Sequence, residues 1–304
     1  MRKLMVLVLA LALYPGKSLH AQYYYENNRY YASAFTVEVG GAFGIMNALT
    51  DLGGRKGVGK KFIKDLNWKN SKPSAGFYIE GTYQDAIGVR LEGTFGTVQA
   101  YDSILKSVKT TTFGRYERNL SFRSKITDIQ LAVEVHPLFF KPREGEDPPR
   151  ISPYAVLGVG YFSFDPKAYL KGQWYSLQPL HTEGQGSETY PDRKPYKLNQ
   201  LNVAAGGGIR YELNSMFNAR LEFVHRFLNT DYLDDVSTTY VDPSTFSTLP
   251  ANQAAIATQL FDRQAELDPT HTTDVNNIRG NPKNNDAFFT IELKIGVIIG
   301  RQKR

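Results

Sequence analysis

The stretch FTVEVGGAFGI, residues 35–45, alternates between two kinds of side chain. One parity begins with the apolar residues Phe35 and Val37, and the other holds small or charged residues such as Glu38 and Ala42. Successive side chains on a β-strand point to opposite faces of a sheet. This period of two therefore predicts a strand with one apolar face and one polar face.

The same alternation recurs farther along the chain. The further runs cover residues 75–84, 87–95, 129–136, 154–164, 201–212, 217–226 and 289–299. The run at 154–164 is rich in glycine and aromatic residues, and its facing stays open. The connections alternate in length: those at 47–72, 100–120, 166–197 and 229–285 are long, and those at 84–86, 137–150 and 213–216 are shorter. This arrangement is typical of an up-and-down barrel in an outer membrane.

We therefore predict an all-β fold, an eight-stranded antiparallel up-and-down transmembrane β-barrel with long extracellular loops. It would occupy residues 34–300 and lie in the bacterial outer membrane, with both termini in the periplasm. A soluble eight-stranded barrel of the lipocalin type is the alternative, with its apolar face turned inward around a ligand. The small residues on the polar face, the long polar loops and the lack of a helical pattern that would pack on the barrel favour the membrane barrel.

Residues 1–21 have the organisation of a secretory signal peptide. Arg2 and Lys3 precede an apolar run at residues 4–13, and the small residue Ala21 marks a cleavage site. The apolar run is much shorter than the roughly 20 residues that a membrane-spanning helix needs. We expect the mature chain to begin at Gln22.

Charge and cysteine content exclude two classes of protein. The full chain carries a formal charge of +6, and three of its basic residues lie in the predicted signal peptide, which leaves +3. The mature protein is therefore near charge balance, unlike a nucleic-acid-binding protein. The chain has no cysteine, so it is neither a disulfide-stabilised secreted domain nor anchored by a lipid on cysteine.

The polar parity of the strands carries charged residues that would face the barrel interior. Eight strands enclose a lumen only wide enough for side chains, so charges there must pair with one another. We favour a salt-bridged plug over a narrow, gated polar pathway. Acids outnumber bases by two in this set, and either a protonated glutamate or a charged His136 would balance them. The predicted lumen charges are Glu38, Glu80, Arg90, Glu92, Glu134, Arg210, Glu212, Arg220, Glu222, Arg226, Glu292 and Lys294.

Two motifs suggest chemistry that their context does not support. Residues 54–61, GRKGVGKK, nearly match a phosphate-binding loop, but Lys61 stands where Ser or Thr would hold magnesium. We interpret this stretch as a flexible cationic loop that could contact lipopolysaccharide. His225 and Asp231 form the best candidate pair for a hydrolase at the outer rim, but no nucleophile motif accompanies them. We predict no enzymatic activity, no catalytic residue, no metal and no cofactor.

The stretch TDYLDDVSTTYVD, residues 230–242, begins the longest loop and contains four aspartates. Asp231, Asp234 and Asp235 could ligate calcium at low affinity, but their spacing lacks the D-x-D-x-D-G order of a helical calcium loop. The alternative is a loop start in which aspartate side chains cap turns. Spacing alone leaves both alternatives open.

Residues 226–241, RFLNTDYLDDVSTTYV, resemble a stretch in a group of Bacteroidota outer-membrane barrels; Asp231, Tyr232, Asp234 and Asp235 lie at its centre. Residues 278–282, IRGNP, and 285–289, NDAFF, resemble the segment before that group's last strand, although Ala287 replaces the usual aromatic residue. The group includes the PorG-type component of the type IX secretion system. The resemblance implies a non-enzymatic barrel that anchors or stabilises a type IX secretion complex by contacting periplasmic ring proteins.

That role would fall on the periplasmic face of the barrel. In the Tyr-rich segment at residues 22–33, the tyrosines form either a partner contact or an aromatic belt at the membrane interface. They are Tyr23, Tyr24, Tyr25, Tyr30 and Tyr31. The turn at 141–150 and the basic tail at 301–304 are the other candidate contacts. The other expected partners are outer-membrane lipid and lipopolysaccharide. The alternative function is a small pore or surface-binding barrel that acts through its extracellular loops.

Overall fold

The computed structural model describes residues 34–54, 66–112, 114–140 and 149–300. Eight antiparallel strands form a closed barrel, in which each strand pairs with the next along the chain and the last pairs with the first. These strands are β1 (Phe35–Leu49), β2 (Lys72–Tyr83), β3 (Ile87–Tyr101), β4 (Ser121–Val135), β5 (Ile151–Ser163), β8 (Asn199–Glu212), β9 (Phe217–Leu228) and β10 (Ala287–Ile299). The predicted eight-stranded up-and-down barrel is confirmed.

The two ends of the barrel differ in the length of their connections. The loops at residues 50–71, 102–120, 164–198 and 229–286 all leave the same end, which we call the long-loop end. The connections at 84–86, 136–150 and 213–216 lie at the opposite, short-turn end, where β1 begins and β10 ends. The predicted signal peptide, the Tyr-rich segment, the basic tail and most of the cationic loop and of the turn at 141–150 lie outside the described residues.

The long loops contain secondary structure that the period-two pattern does not predict. A hairpin of β6 (Pro166–Leu170) and β7 (Gln173–Ser176) extends the third long loop. Helix α1 (Arg115–Arg118) lies in the second, and helix α2 (Ala251–Leu260) lies in the fourth. Short 3-10 helices occupy Trp68–Asn70, Asp102–Thr111, Pro137–Phe139, Gln178–Leu180, Pro243–Thr248 and Gln264–Glu266. Among the described residues, no helix has the length and apolar character needed to cross a membrane.

The apolar parity of the strands points outward. Phe43 on β1 and Leu201 on β8 are 68% and 67% exposed, whereas Glu38 and Asn202 on the opposite parity are buried. This direction excludes the lipocalin-type arrangement, in which the apolar face would line the interior. In β5, whose facing the sequence left open, Tyr154, Val156 and Phe162 are buried while Leu157, Val159 and Tyr161 are exposed.

The lumen is not polar along its whole length, which corrects the expectation that small or charged side chains occupy the inward positions of the strands. Toward the long-loop end the inward positions carry large apolar side chains, and loop residues cover them. We call this cluster the apolar plug: Met46, Leu52, Val98, Ala100, Leu120, Phe122, Ile126, Phe162, Phe164, Tyr196, Leu228, Leu233, Val236 and Phe288. Apolar side chains are stable at this end because the loops that fold over it exclude water.

Truncation of Phe288 should destabilise the barrel from inside the apolar plug. Its side chain is fully buried, and its ring centroid lies 5.9 Å from that of Phe162. We expect Phe288→Ala to cost about 3–5 kcal/mol, as for other buried phenylalanines. Gel mobility of the folded and the unfolded barrel, followed over a temperature series, would measure the loss. Phe43→Ala, on the exposed outer face, is the matched control; an equal loss in both variants would contradict a packed interior.

Candidate functional site

Arg220 on β9 is the centre of one group of ion pairs inside the barrel. Its Nη1 atom lies 2.7 Å from Glu80 Oε2 and 2.6 Å from Glu134 Oε1. Its Nη2 atom lies 2.7 Å from Glu38 Oε2. The three carboxylates belong to β2, β4 and β1, so one guanidinium group joins four strands. All four side chains are buried, and a buried cation requires such partners because its removal from water is costly.

Arg90 on β3 extends this group toward the other side of the lumen. Its Nη1 atom lies 2.8 Å from Glu134 Oε2 and 2.7 Å from Glu222 Oε2, and its Nε lies 3.0 Å from Glu92 Oε2. Lys294 Nζ on β10 lies 2.6 Å from Glu92 Oε1 and 2.7 Å from Glu222 Oε1. Because Glu134 contacts both arginines, all these residues form one continuous set. We call it the lumen network: Glu38, Glu80, Arg90, Glu92, Glu134, Arg220, Glu222 and Lys294.

Some of the ion pairs cross the lumen and join strands that are not neighbours. In the strand register, Glu222 lies opposite Glu292, and Arg220 lies opposite Lys294. Like charges directly opposite each other on adjacent strands are destabilising. Lys294 on the adjacent strand contacts Glu222, and further compensating charge comes from across the barrel, since Arg90 on β3 reaches Glu222 on β9. Closure of the barrel is therefore needed to pair these charges.

Neutral side chains add hydrogen bonds to the lumen network. The hydroxyl of Tyr78 and the amide of Asn218 both donate to Glu38. The hydroxyl of Tyr154 donates to Glu222 Oε2 at 2.8 Å. These roles were not predicted from the sequence. Tyr78 lies on the polar parity of β2, and this position could have indicated its role because a tyrosine there can donate its hydroxyl to an acceptor inside the barrel.

Two glycines leave space for the carboxylates of the network. A Cβ atom at Gly88 would overlap the Glu80 carboxylate, and one at Gly296 would overlap the carboxylate of Glu38. Glycine inside a strand often marks such a close approach. The small residues on the polar parity therefore determine where the large charged side chains can lie.

A second, smaller cluster surrounds Arg226 nearer the apolar plug. Its Nε donates to Asp128 Oδ2 at 2.6 Å, and its Nη1 donates to Thr290 Oγ1 at 3.0 Å. Glu292 accepts a hydrogen bond of 2.8 Å from Ser74. Asp128 is absent from the charges predicted to face the lumen, although it has the same parity in β4 as Glu134. Extending the alternation of that run toward its N-terminal side would have identified it.

Two residues of the predicted set lie apart from these clusters, near the short-turn end. Arg210 Nη2 is 3.8 Å from Asp85 Oδ1, and its guanidinium lies 5.3 Å from the ring centroid of Phe139. Glu212 is the last residue of β8 and is only half-buried. The structure therefore brings ten of the twelve predicted charges into the lumen and places two at its mouth.

Three of the buried side chains have the spacing of metal ligands. Glu80, Glu134 and His136 each bring one ligand atom within 4.8 Å of the others. Arg220 Nη1, however, already contacts both carboxylates, and His136 Nε2 lies 2.8 Å from Glu134 Oε1. A guanidinium group thus supplies the positive charge that a metal ion would bring to these carboxylates.

The family-like loop motif lies inside the long loops and not at their surface. Asp235 accepts hydrogen bonds from Thr182 Oγ1 at 2.5 Å and from the Tyr196 hydroxyl at 2.7 Å. The ring of Tyr232 stacks on that of Tyr196 with centroids 4.9 Å apart. Burial raises the pKa of Asp235 to about 6, although the nearby Arg279 lowers it. The motif therefore joins the third and fourth long loops.

Arg279 and Glu183 form the buried ion pair at the centre of these loops. Arg279 Nη1 lies 2.8 Å from Glu183 Oε1 and donates to the Asp235 carbonyl oxygen at 2.7 Å. Glu183 also accepts from the backbone N–H groups of Ser237 at 2.9 Å and Thr238 at 3.0 Å. Sequence reasoning missed Glu183, because an isolated glutamate in a long loop carries no periodic signal.

His225 and Asp231, the candidate hydrolase pair, belong to different surroundings. His225 has the outward parity of β9, and its ring packs edge-on against Phe227 with centroids 4.3 Å apart. Asp231 lies beyond the end of the strand and is buried among the loops. The predicted contact residues Tyr23, Tyr24, Tyr25, Tyr30 and Tyr31 lie outside the described residues.

Replacement of Arg220 should destabilise the barrel from within the lumen network. Arg220→Met leaves Glu38 and Glu80 buried without their main cation, which should cost about 3–5 kcal/mol. Thermal unfolding of the purified barrel in detergent would measure the loss. Lys125→Met, at an exposed position of β4, is the matched control and should change stability little. Unfolding temperatures that are the same in wild type and Arg220→Met would rule out a structural role for the network.

Comparison with known proteins yields neither a matching family model nor a matching curated sequence. Among solved structures, the chain is similar to Neisserial surface protein A, with 9% identity and a TM-score of 0.37, covering 87% of this chain and 97% of that one. The chain is also similar to Ail, the attachment invasion locus protein of Yersinia pestis, with 9% identity and a TM-score of 0.36, covering 87% of this chain and 97% of that one. A third similar structure is Outer Membrane Protein W of E. coli, with 12% identity and a TM-score of 0.32, covering 88% of this chain and 98% of that one. Similarity this low carries no functional argument, and the barrel rests on its own strand pairing.

Proposed function

We propose that this chain is a non-enzymatic outer-membrane β-barrel with a closed lumen, and that it anchors or stabilises a type IX secretion complex through periplasmic contacts. The long-loop end would face outside, and both termini would lie in the periplasm. The single observation that carries the membrane assignment is the direction of the apolar side chains. The secretion role is supported by the two segments that resemble the PorG-type group.

The outer wall of the barrel has the properties of a surface in contact with lipid. Val39, Leu221 and Leu293 lie on neighbouring strands and are 44%, 57% and 52% exposed. The barrel strands have 12 to 15 residues, enough to cross the hydrocarbon layer when tilted. An apolar wall of this extent is unfavourable in water. Outer-membrane lipid and lipopolysaccharide are therefore the proposed surroundings.

The interior supports a closed barrel and not a pore. Arg90, Arg220, Arg226 and Lys294 are almost fully buried, and the apolar plug fills the long-loop end. A barrel of eight strands has room for these side chains and little else. Transport through the lumen is therefore not part of the proposal, and the working surfaces would be the two ends.

The two segments that carry the family resemblance pack against each other. Thr239 and Ile278 form a β-bridge, and Arg279 N donates to the Thr238 carbonyl oxygen at 2.9 Å. Asp286 N donates to the Thr230 carbonyl oxygen at 2.9 Å. The resembling residues thus form one structural unit, in which they depend on each other for burial and hydrogen bonding.

The proposed partner contacts would lie at the short-turn end. They comprise the tyrosines at residues 23–31, the turn at 141–150 and the basic tail at 301–304, which would meet periplasmic ring proteins. Tyrosine is favoured at protein interfaces because it buries a large ring while its hydroxyl keeps a partner. The basic tail would favour an acidic partner surface.

A surface-binding barrel is the second candidate function, and one observation favours it. The long loops have their own apolar core, separate from the plug, which includes Leu180, Val241, Phe246, Leu260 and Phe261. Simple connections between strands do not need such a core. Loops packed this way could present a fixed surface to a ligand outside the cell.

Spin labels test the membrane assignment. Labels at Val39, Leu221 and Leu293 should be accessible to oxygen and shielded from a water-soluble nickel reagent in reconstituted vesicles, because lipid would surround them. A label at Ile278, an exposed loop residue, is the control that should meet water. Water accessibility at the three strand positions would remove the bilayer assignment.

Crosslinking in intact cells tests the secretion role. A photoreactive residue at Tyr24 or Tyr30 should attach to periplasmic ring proteins, because the proposal places these tyrosines at the partner surface. The same residue at Ile278 is the control and should not attach to them. A barrel that is recovered alone and shows conductance in a planar bilayer would favour the pore alternative and contradict the proposal.

A further inference from the structure

The outward side of β4 changes from apolar to basic toward the long-loop end. Leu131 and Ile129 are 54% and 56% exposed, as expected of side chains in contact with lipid. Thr127 follows on the same face, and the next two outward positions are the exposed residues Lys125 and Arg123. Successive outward positions on a strand are roughly 7 Å apart. The two cations therefore lie just beyond the apolar wall of the barrel.

The neighbouring strands place the same boundary at the same level. Phe95 on β3 lies opposite Thr127, and Tyr161 on β5 lies opposite Ile129. Phe95 is 44% exposed and Tyr161 is 55% exposed. Tyrosine is enriched at membrane–water interfaces, because its ring is apolar and its hydroxyl can meet water. The apolar wall thus ends at one level across three strands, and the two cations of β4 lie at the level expected for lipid headgroups.

The hairpin of β6 and β7 adds a third cation at this level. Beyond the end of β5, β6 pairs with β4, and its Lys167 lies directly opposite Arg123. Partners in register point to the same face, and like charges in such pairs are destabilising. Asp165 Oδ2 lies 3.0 Å from Lys167 Nζ and offsets one of the three positive charges. The three cations and this carboxylate leave an excess of positive charge on the outer surface, which a bound anion would stabilise.

Two aromatic rings lie beside these cations. The Arg123 guanidinium carbon lies over the Trp174 ring, 5.6 Å from its centroid. Tyr169 lies opposite Trp174 in the hairpin, with ring centroids 5.3 Å apart, and the two residues are 47% and 42% exposed. Exposed aromatic rings offer flat apolar faces to the C–H groups of a sugar, and the guanidinium fork matches the geometry of a phosphate. This combination fits a phosphorylated sugar.

We propose that this patch binds the phosphorylated sugar headgroup of lipopolysaccharide. Its members, which we call the headgroup site, are Arg123, Lys125, Lys167, Tyr169 and Trp174. The site rests on the proposed function, which places the long-loop end at the outer leaflet, where this glycolipid lies. The cations would bind the phosphates, the aromatic rings would pack on the sugar, and the acyl chains would lie along the apolar wall of β4 and β5.

Tryptophan fluorescence tests the headgroup site directly. The chain has two tryptophans, so the emission of the Trp68→Phe variant comes from Trp174 alone. Titration of lipopolysaccharide into this full-length barrel in a zwitterionic detergent should shift the emission to shorter wavelength, because the sugar would cover the ring. Phosphatidylglycerol and inorganic phosphate, added separately, should give much smaller shifts. The absence of a shift with lipopolysaccharide, or an equal shift with either of the other two, would overturn the proposal.

Removal of two cations should weaken this binding. In the Trp68→Phe background, Arg123→Ala with Lys125→Ala should bind lipopolysaccharide at least about tenfold more weakly, because each basic residue adds to the attraction of an anionic lipid surface. Both positions are exposed, so the variant should fold. Lys109→Ala with Lys283→Ala removes the same charge from exposed positions of the second and fourth long loops and should keep the original affinity. Equal affinities in the two double variants would contradict the site.

A change of ligand tests the same contact without removing a cation. Lipopolysaccharide from which the phosphates have been removed should bind the Trp68→Phe barrel at least about tenfold more weakly than the intact glycolipid. Equal binding of both forms would exclude phosphate recognition. These measurements use isolated protein in detergent, whereas spin labels and crosslinking test the membrane location and the secretion role. Failure of the headgroup site is therefore distinguishable from failure of the proposed function.

Discussion

The lumen of an eight-stranded barrel has room for side chains but not for bulk water, and the interior of this protein is organised by that constraint. Charged groups there cannot be solvated, so each must find its partner among other side chains. Arg90 and Arg220 meet this requirement by contacting carboxylates on several strands at once. Since removal of one partner leaves the others uncompensated, the lumen network behaves as a unit. It joins opposite walls of the barrel in addition to the backbone hydrogen bonds between adjacent strands.

At the long-loop end, apolar packing fills the lumen in place of ion pairs. Large apolar side chains fill the lumen there, and the loops cover them with Leu233 and Val236. The loops are in turn held by the buried pair of Arg279 and Glu183. Buried ion pairs of this kind are strongly destabilising when broken, because an uncompensated charge is left behind. The loops are therefore a compact layer on the barrel, whose shape depends on contacts between segments far apart in the chain.

This construction is consistent with a barrel that holds a position in the membrane. A packed lumen offers no path for a solute. The family-like segments flank the fourth long loop, where Thr239 and Ile278 pair. The proposed secretion role depends instead on other chain segments, most of which lie outside the described residues.

The period-two alternation of residues such as Phe35, Val37 and Val39 determined the strands, their number and the inward set of charges. This succeeded because the facing of a side chain on a strand depends only on its parity. Parity also could have identified Asp128. It could not show which charges pair, since Arg90 and Glu222 belong to strands that are not neighbours and meet only when the barrel closes. Nor could it show the apolar plug or Glu183, because loops have no period and their contacts arise from packing between distant segments. The wall of the barrel could thus be predicted from the sequence, because it depends on local strand geometry. What fills and covers the barrel was decided only by the tertiary structure, because it depends on burial between segments far apart in the chain.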